Sequence, residues 1–99
     1  MRLRPELRDQ LKAMVAAELG ADAELWLFGS RVDDALRGGD IDLLVRSPRE
    51  LAQRDRLESR LAVRAMRLAG GRRVDLLLMD PHTPTQAVHA EALATGVQL

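Results

Sequence analysis

Apolar positions along this chain recur with two periods, near 3.6 and near 2, and the switches between them mark six elements. Leu7, Leu11, Met14, Val15 and Leu19 share one face at helical spacing. Pro5 suits the first turn of that helix and Gly20 its stop. Glu24 to Phe28 predicts a short strand, because Leu25, Trp26, Leu27 and Phe28 form an unbroken apolar run. Gly29-Ser30 ends it, and Ile41 to Val45 predicts a second strand. Ser47-Pro48-Arg49-Glu50 has the form of a capping box with proline at the first helical position. The helix behind it is expected to reach about Ala69, with Leu57, Leu61, Ala65 and Leu68 as its buried stripe, and Gly70-Gly71 ends it. A third strand, Arg73 to Met79, is centred on Val74-Asp75-Leu76-Leu77-Leu78 and broken by Asp80-Pro81. Thr83-Pro84-Thr85-Gln86 predicts a second capping box and a last helix to about Thr95. Gly96 is the expected left-handed cap, with Val97 folding back onto that helix.

The order α-β-β-α-β-α restricts the topology. The helix between the second and third strands is long enough for a right-handed crossover, so those strands can pair in parallel. The short link between the first and second favours antiparallel pairing. The expectation is an α/β (α+β) fold, a small mixed sheet of about three strands with flanking helices, in a single domain over residues 1–99. A length of 99 residues fits one domain, and 46% hydrophobic with 30% charged residues marks a folded chain rather than a disordered one.

Composition then removes function classes. The chain has no cysteine, which excludes disulfide scaffolds, thiolate zinc sites and cysteine nucleophiles. Its 15 basic and 15 acidic residues cancel, so nonspecific nucleic-acid binding lacks the positive excess it needs. Trp26 and Phe28 are the only aromatic residues, too few for a base-stacking platform. No signal-peptide segment and no apolar run of membrane-spanning length is present, and a cytoplasmic location without membrane association is expected.

Three carboxylates stand where strands disfavour them. Asp40 and Asp42 head the second strand and share a face; Asp75 interrupts the third. If the two strands pair, all three can converge. Two carboxylates ~4 Å apart repel by about 4 kcal/mol at an effective dielectric of 20. A hard divalent cation offsets that repulsion, and Mg²⁺ prefers carboxylate oxygens. Two such ions can flank a phosphoryl centre. The plainer alternative is local pairing with arginine: Asp75 with Arg73 or Arg72, Asp42 with Arg31 or Arg46. Gly29-Ser30 adds a possible anion nest, since glycine at a strand end lets backbone N–H groups approach a phosphate.

Leu27-Phe28-Gly29-Ser30-Arg31, then Gly38-Gly39-Asp40-Ile41-Asp42-Leu43-Leu44-Val45, then Val74-Asp75-Leu76-Leu77, together resemble the minimal nucleotidyltransferase family of the DNA polymerase beta-like superfamily. The likeness runs from Glu24 to Asp80. It implies a polymerase beta palm-like nucleotidyltransferase fold, nucleotide phosphates held at Gly29, Ser30 and Arg31, and Mg²⁺ bound by Asp40, Asp42 and Asp75. Asp75 would also help to activate the attacking hydroxyl. Larger members add domains for base and acceptor, and this chain is expected to rely on a partner instead. The resemblance implies that partner to be a HEPN-domain toxin, with the chain as antitoxin transferring AMP from ATP to a tyrosine of the toxin. A binding antitoxin with weak or absent catalysis is the alternative. The chain has no tyrosine of its own. It also lacks the Arg-x4-His of HEPN ribonucleases, because neither His82 nor His89 has an arginine five positions before it.

Other features read as structure. His82 and His89 lie seven residues apart around the start of the last helix, a poor arrangement for a shared metal. Arg49, Arg54, Arg56, Arg60, Arg64 and Arg67, set against Glu50, Asp55 and Glu58, read first as a solvated face laced with local ion pairs. A docking face for an acidic partner or RNA is the alternative.

Overall fold

A computed structural model describes residues 3–29 and 41–99. Helix α1 spans Pro5–Leu19, strand β1 Glu24–Phe28, β2 Ile41–Arg46, helix α2 Arg54–Leu68, β3 Val74–Met79, helix α3 Ala87–Thr95 and β4 Val97–Gln98. The strands form one mixed sheet in the order β3-β2-β1-β4. β1 lies antiparallel to β2 and to β4, and β2 lies parallel to β3. Both expected pairings are therefore present, with a fourth strand added.

Strand periodicity sorts the side chains onto two faces. Leu25, Leu27, Ile41, Leu43, Val45, Leu76 and Leu78 point to the side covered by α1 and α2, where they meet Leu7, Leu11, Met14, Val15, Leu61 and Ala65. Truncating one of the fully enclosed leucines, such as Leu27 or Leu43, to alanine would cost about 2–5 kcal/mol. The other face is thinner. There Leu44, Met79 and Ala92 form the buried centre, flanked by Trp26, Phe28, Leu77 and Leu93. This second face is the one that carries Asp42 and Asp75.

Two helix starts differ from the sequence expectation, for the same physical reason. Ser47 does fold back locally: its hydroxyl accepts the Arg49 N–H at 3.1 Å and donates to the Arg49 carbonyl at 2.8 Å. Tertiary partners then take over. The Arg49 guanidinium reaches Asp22 at 2.8 and 2.9 Å and the Leu19 carbonyl at 2.7 Å, while the Leu51 N–H donates to Asp80 at 2.9 Å. Gln53, at φ 52°, occupies the left-handed region, so the helix begins only at Arg54. Likewise Thr83 does not cap α3. Its hydroxyl donates to Asp80 Oδ1 at 3.0 Å and accepts the Asp80 N–H at 3.0 Å. The capping box is made instead by Gln86 and His89, whose Nδ1 accepts the Gln86 N–H at 3.0 Å.

The end of α3 also departs from expectation. Gly96 has φ −77°, ψ 175°, an extended conformation and not a left-handed cap. Glycine is required there by close approach. A Cβ would overlap the Ala92 carbonyl oxygen and stand 2.9 Å from the Leu27 carbonyl oxygen. The chain can thus leave α3 against β1, and Val97 pairs with Leu27 as part of β4 rather than folding back onto the helix.

Candidate functional site

The parallel register of β2 and β3 sets Asp42 beside Asp75. Across β2 in the other direction, Asp42 stands opposite Phe28. Phe28, Asp42 and Asp75 thus form one row across three strands. With adjacent strands about 4.8 Å apart, the two carboxylates are nearest neighbours on the same face. Asp42 is half-buried, and the Asp75 side chain is 50% exposed. One carboxylate therefore lies against the sheet while its neighbour opens to solvent.

Gly29 closes the row against the end of β1. Its φ of +73° is a conformation that L side chains rarely adopt. A Cβ here would overlap Asp42 Oδ2 and lie 3.0 Å from Cγ and 3.3 Å from Cβ of the same residue. The backbone at Gly29 is thus packed directly on the Asp42 carboxyl group. This is the close approach that a glycine at a strand end permits, realised here toward a side chain of the site itself.

Of the six residues expected at the site, Gly29, Asp42 and Asp75 fall among the described residues and come together. Ser30, Arg31 and Asp40 lie outside them. Among the described residues no group of three or more histidine, aspartate or glutamate side chains gathers as a metal cage. Asp42 and Asp75 are a pair, and their chemistry fits a hard cation. Like charges directly across a sheet are destabilising, and a divalent ion bound through carboxylate oxygens reverses the sign of that interaction.

The arginine alternative holds for one carboxylate and fails at one arginine. Arg73 Nε stands 3.6 Å from Asp75 Oδ1, the local pair that the alternation on β3 allows. Arg46, by contrast, is engaged by Glu24. Glu24 Oε1 accepts from Arg46 Nη2 at 2.6 Å, from Arg46 Nε at 3.1 Å and from the Trp26 indole N–H at 3.0 Å. The indole hydrogen bond, reinforced by Arg46, holds the Glu24 carboxyl below the usual glutamate value. This neutralised row sits at the opposite end of the same face, beside a cavity of about 340 Å³ whose lining includes Asp22, Glu24, Arg46 and Asp80.

Asp80 is the polar residue whose role the sequence reading missed. It is buried and accepts the backbone N–H groups of Leu51 and His82, both at 2.9 Å, and the Thr83 hydroxyl. The Leu51 hydrogen bond above all keeps its carboxyl below the ordinary aspartate value. An aspartate followed two and three residues later by its own turn partners was the available signal. The histidines do not share a site: His82 Nε2 faces Glu50 Oε2 at 3.2 Å, whereas His89 is buried as a cap. Among the described residues no helix is long and apolar enough to cross a membrane.

The model of the nucleotidyltransferase domain family matches residues 4–90, a stretch that begins just before α1 and ends within α3. No curated protein and no solved structure gives a significant match.

Proposed function

The chain belongs to the nucleotidyltransferase domain family, and from that premise we propose that it transfers AMP from ATP, with Mg²⁺, to a tyrosine hydroxyl of a HEPN-domain toxin and so acts as an antitoxin. The observation that carries the metal-dependent reading is the in-register pair Asp42 and Asp75, packed against Gly29. The partner and acceptor rest on the likeness to minimal nucleotidyltransferases. The absence of tyrosine from the sequence agrees with an acceptor supplied by another polypeptide.

In the proposed transfer the acceptor oxygen bonds to the α-phosphorus of ATP. The bond from that phosphorus to the α,β-bridging oxygen breaks, and pyrophosphate leaves. The hydroxyl proton passes toward Asp75, whose half-exposed carboxylate can accept it from a group arriving from solvent. Asp42, held by the sheet and by Gly29, is the fixed ligand of the pair, and Asp40 would complete the set. Mg²⁺ bound there would lower the pKa of the attacking hydroxyl and neutralise the charge developing on the leaving oxygens.

The test pairs stability with chemistry. Mg²⁺ binding to the native state alone, at about 100 times Kd, adds about 2.7 kcal/mol to wild type. Asp75→Asn should be as stable as wild type without metal, or more so, and should respond less to Mg²⁺. With ATP and Mg²⁺, a HEPN-domain partner should gain one or more AMP units by mass, and Asp42→Ala should abolish the gain. Equal Mg²⁺ responses in wild type and Asp75→Asn would sink the carboxylate site. Full neutralisation of the toxin by Asp42→Ala, with no nucleotide ever found on it, would leave a binding antitoxin.

A further inference from the structure

Among the described residues, the outer edge of β3 has no hydrogen-bond partner along the length that flanks Asp75 and is closed beyond it. Ile41 N–H donates to the Arg73 carbonyl and Ser47 N–H to the Met79 carbonyl, so residues 73, 75, 77 and 79 turn their backbone groups toward β2. Val74, Leu76 and Leu78 therefore turn theirs outward, and β3 is the edge of the sheet. At Leu78 both outward groups are occupied by side chains of α2. Its N–H donates to Glu58 Oε2 at 2.7 Å, and its carbonyl accepts Arg54 Nη1 at 2.8 Å. Among the described residues no such partner meets the outward N–H or carbonyl of Val74 or Leu76. The uncapped and capped parts of one edge meet between Leu76 and Leu78, two residues past Asp75.

We propose that this open edge receives an extended segment of the acceptor protein as an added strand, which places a hydroxyl-bearing residue in register with Asp75. The proposal rests on the nucleotidyl-transfer reading above and names how its acceptor docks. Main-chain pairing at Val74 and Leu76 supplies binding without demanding a particular sequence. The residue opposite Asp75 projects from the same face as Asp75 and Asp42, with Cα atoms about 5 Å apart across the new pair. The row Phe28-Asp42-Asp75 then continues into the acceptor. Arg54 and Glu58 occupy Leu78, which confines main-chain pairing of the added strand to the stretch that flanks Asp75. The opposite edge offers no equivalent, because β4 is two residues long and carries no site residue.

Two variants close the edge without touching the carboxylates. α2 runs back along β3, so one helical turn of about 5.4 Å matches nearly two strand residues of about 3.3 Å each. Ala62→Glu therefore sets a carboxylate toward the Leu76 N–H as Glu58 meets that of Leu78. Val74→Pro removes the Val74 N–H at the first residue of the strand, a position that tolerates proline. The probe is a synthetic peptide alternating valine and glutamine around one central tyrosine, at millimolar concentration. Amide NMR should show Val74 and Leu76 shifted and protected from exchange, with the tyrosine gaining AMP when ATP and Mg²⁺ are added. Both variants should weaken peptide binding at least tenfold and leave the affinity for ATP with Mg²⁺, measured by calorimetry, unchanged. Peptide binding at the edge without ATP binding would sink the transfer reading and keep the docking edge. ATP binding with no effect at Val74 and Leu76 would overturn the edge proposal. So would an Ala62→Glu-sensitive dimer in sedimentation, which would assign the edge to a second copy of the chain.

Discussion

Gly29→Ala should damage the molecule through Asp42, and a double-mutant cycle can isolate that coupling. Two costs are present. The residue sits at φ +73°, which costs a non-glycine residue roughly 1–2 kcal/mol. The new methyl group would also overlap Asp42 Oδ2 and crowd its Cγ at 3.0 Å. Relief requires the carboxyl group to leave its rotamer, worth about 0.5–1.5 kcal/mol. The total is about 2–3 kcal/mol, several degrees or more in Tm for a domain of this size. In an Asp42→Ala background the carboxyl group is gone, and the nearest Asp42 atom left is Cβ at 3.3 Å. Gly29→Ala should then cost only the backbone term. Urea unfolding of wild type, both single variants and the double variant, all in chelator, gives a coupling of about 1 kcal/mol. That exceeds the 0.3–0.5 kcal/mol, roughly, within which independent sites add. Additive costs would mean that Gly29 does not pack on the Asp42 carboxyl group, and the positioning argument would fall with it. On the proposed metal reading Mg²⁺ supplies a second readout: Gly29→Ala should blunt any gain in Tm with Mg²⁺, because it moves the Asp42 carboxyl group.

Asp80→Asn should destabilise the fold by about 2–3 kcal/mol near neutral pH, since three hydrogen bonds to a charged acceptor become weaker or are lost. Because the folded carboxyl titrates below the usual aspartate value of 3.8, its stabilisation is present above that value and fades as pH falls through the folded one. Acid unfolding curves of wild type and variant should therefore converge at low pH; a constant gap would contradict this. Gly96→Ala should cost about 1–3 kcal/mol, since its Cβ meets the Ala92 and Leu27 carbonyl oxygens, and exchange of the Leu99 N–H bonded to Leu25 should accelerate first. Unchanged Leu99 protection would dissociate Gly96 from the docking of β4.

Strands and their pairing were legible because Leu25–Phe28, Ile41–Val45 and Val74–Met79 are short apolar runs between turn residues, and the length of each connection decides the pairing. Asp42 and Asp75 were legible as a pair because strand parity assigns each a face and the crossover assigns the strands as neighbours. The missed features depend on contacts distant in sequence. Ser47 and Thr83 carry the local signature of a cap, yet Asp22 and Asp80 draw off Arg49, Leu51 and Thr83 before a helix can begin there. β4 was hidden because two residues hold no periodicity, and its formation depends on how closely Gly96 lets the chain approach Leu27. Gly29 was read as a phosphate approach point, while its packing on Asp42 became visible only once β1 and β2 were in register.

The arrangement of charge on the α3 face gives the site its physical logic. Three rows cross β1, β2 and β3: Glu24-Arg46-Met79, Trp26-Leu44-Leu77 and Phe28-Asp42-Asp75. The first row neutralises itself, because Arg46 and Glu24 are opposite each other and the Trp26 indole adds a third bond. The middle row is apolar and meets Ala92 and Leu93 of α3. The last row contributes two like charges to adjacent strands, and its cation must come from outside the row. On Asp75 that cation is Arg73, at 3.6 Å and 72% exposed, an ion pair of the kind worth at most about 1 kcal/mol. Such a pair restrains Asp75 while leaving it open to exchange partners. On the proposed reading, Asp42 and Asp75 would hold a divalent ion, whose charge would offset the repulsion between them. The end of the sheet that holds Glu24 and Arg46 thus satisfies its charge within the fold, whereas the end that holds Asp42 and Asp75 sets two like charges side by side on neighbouring strands.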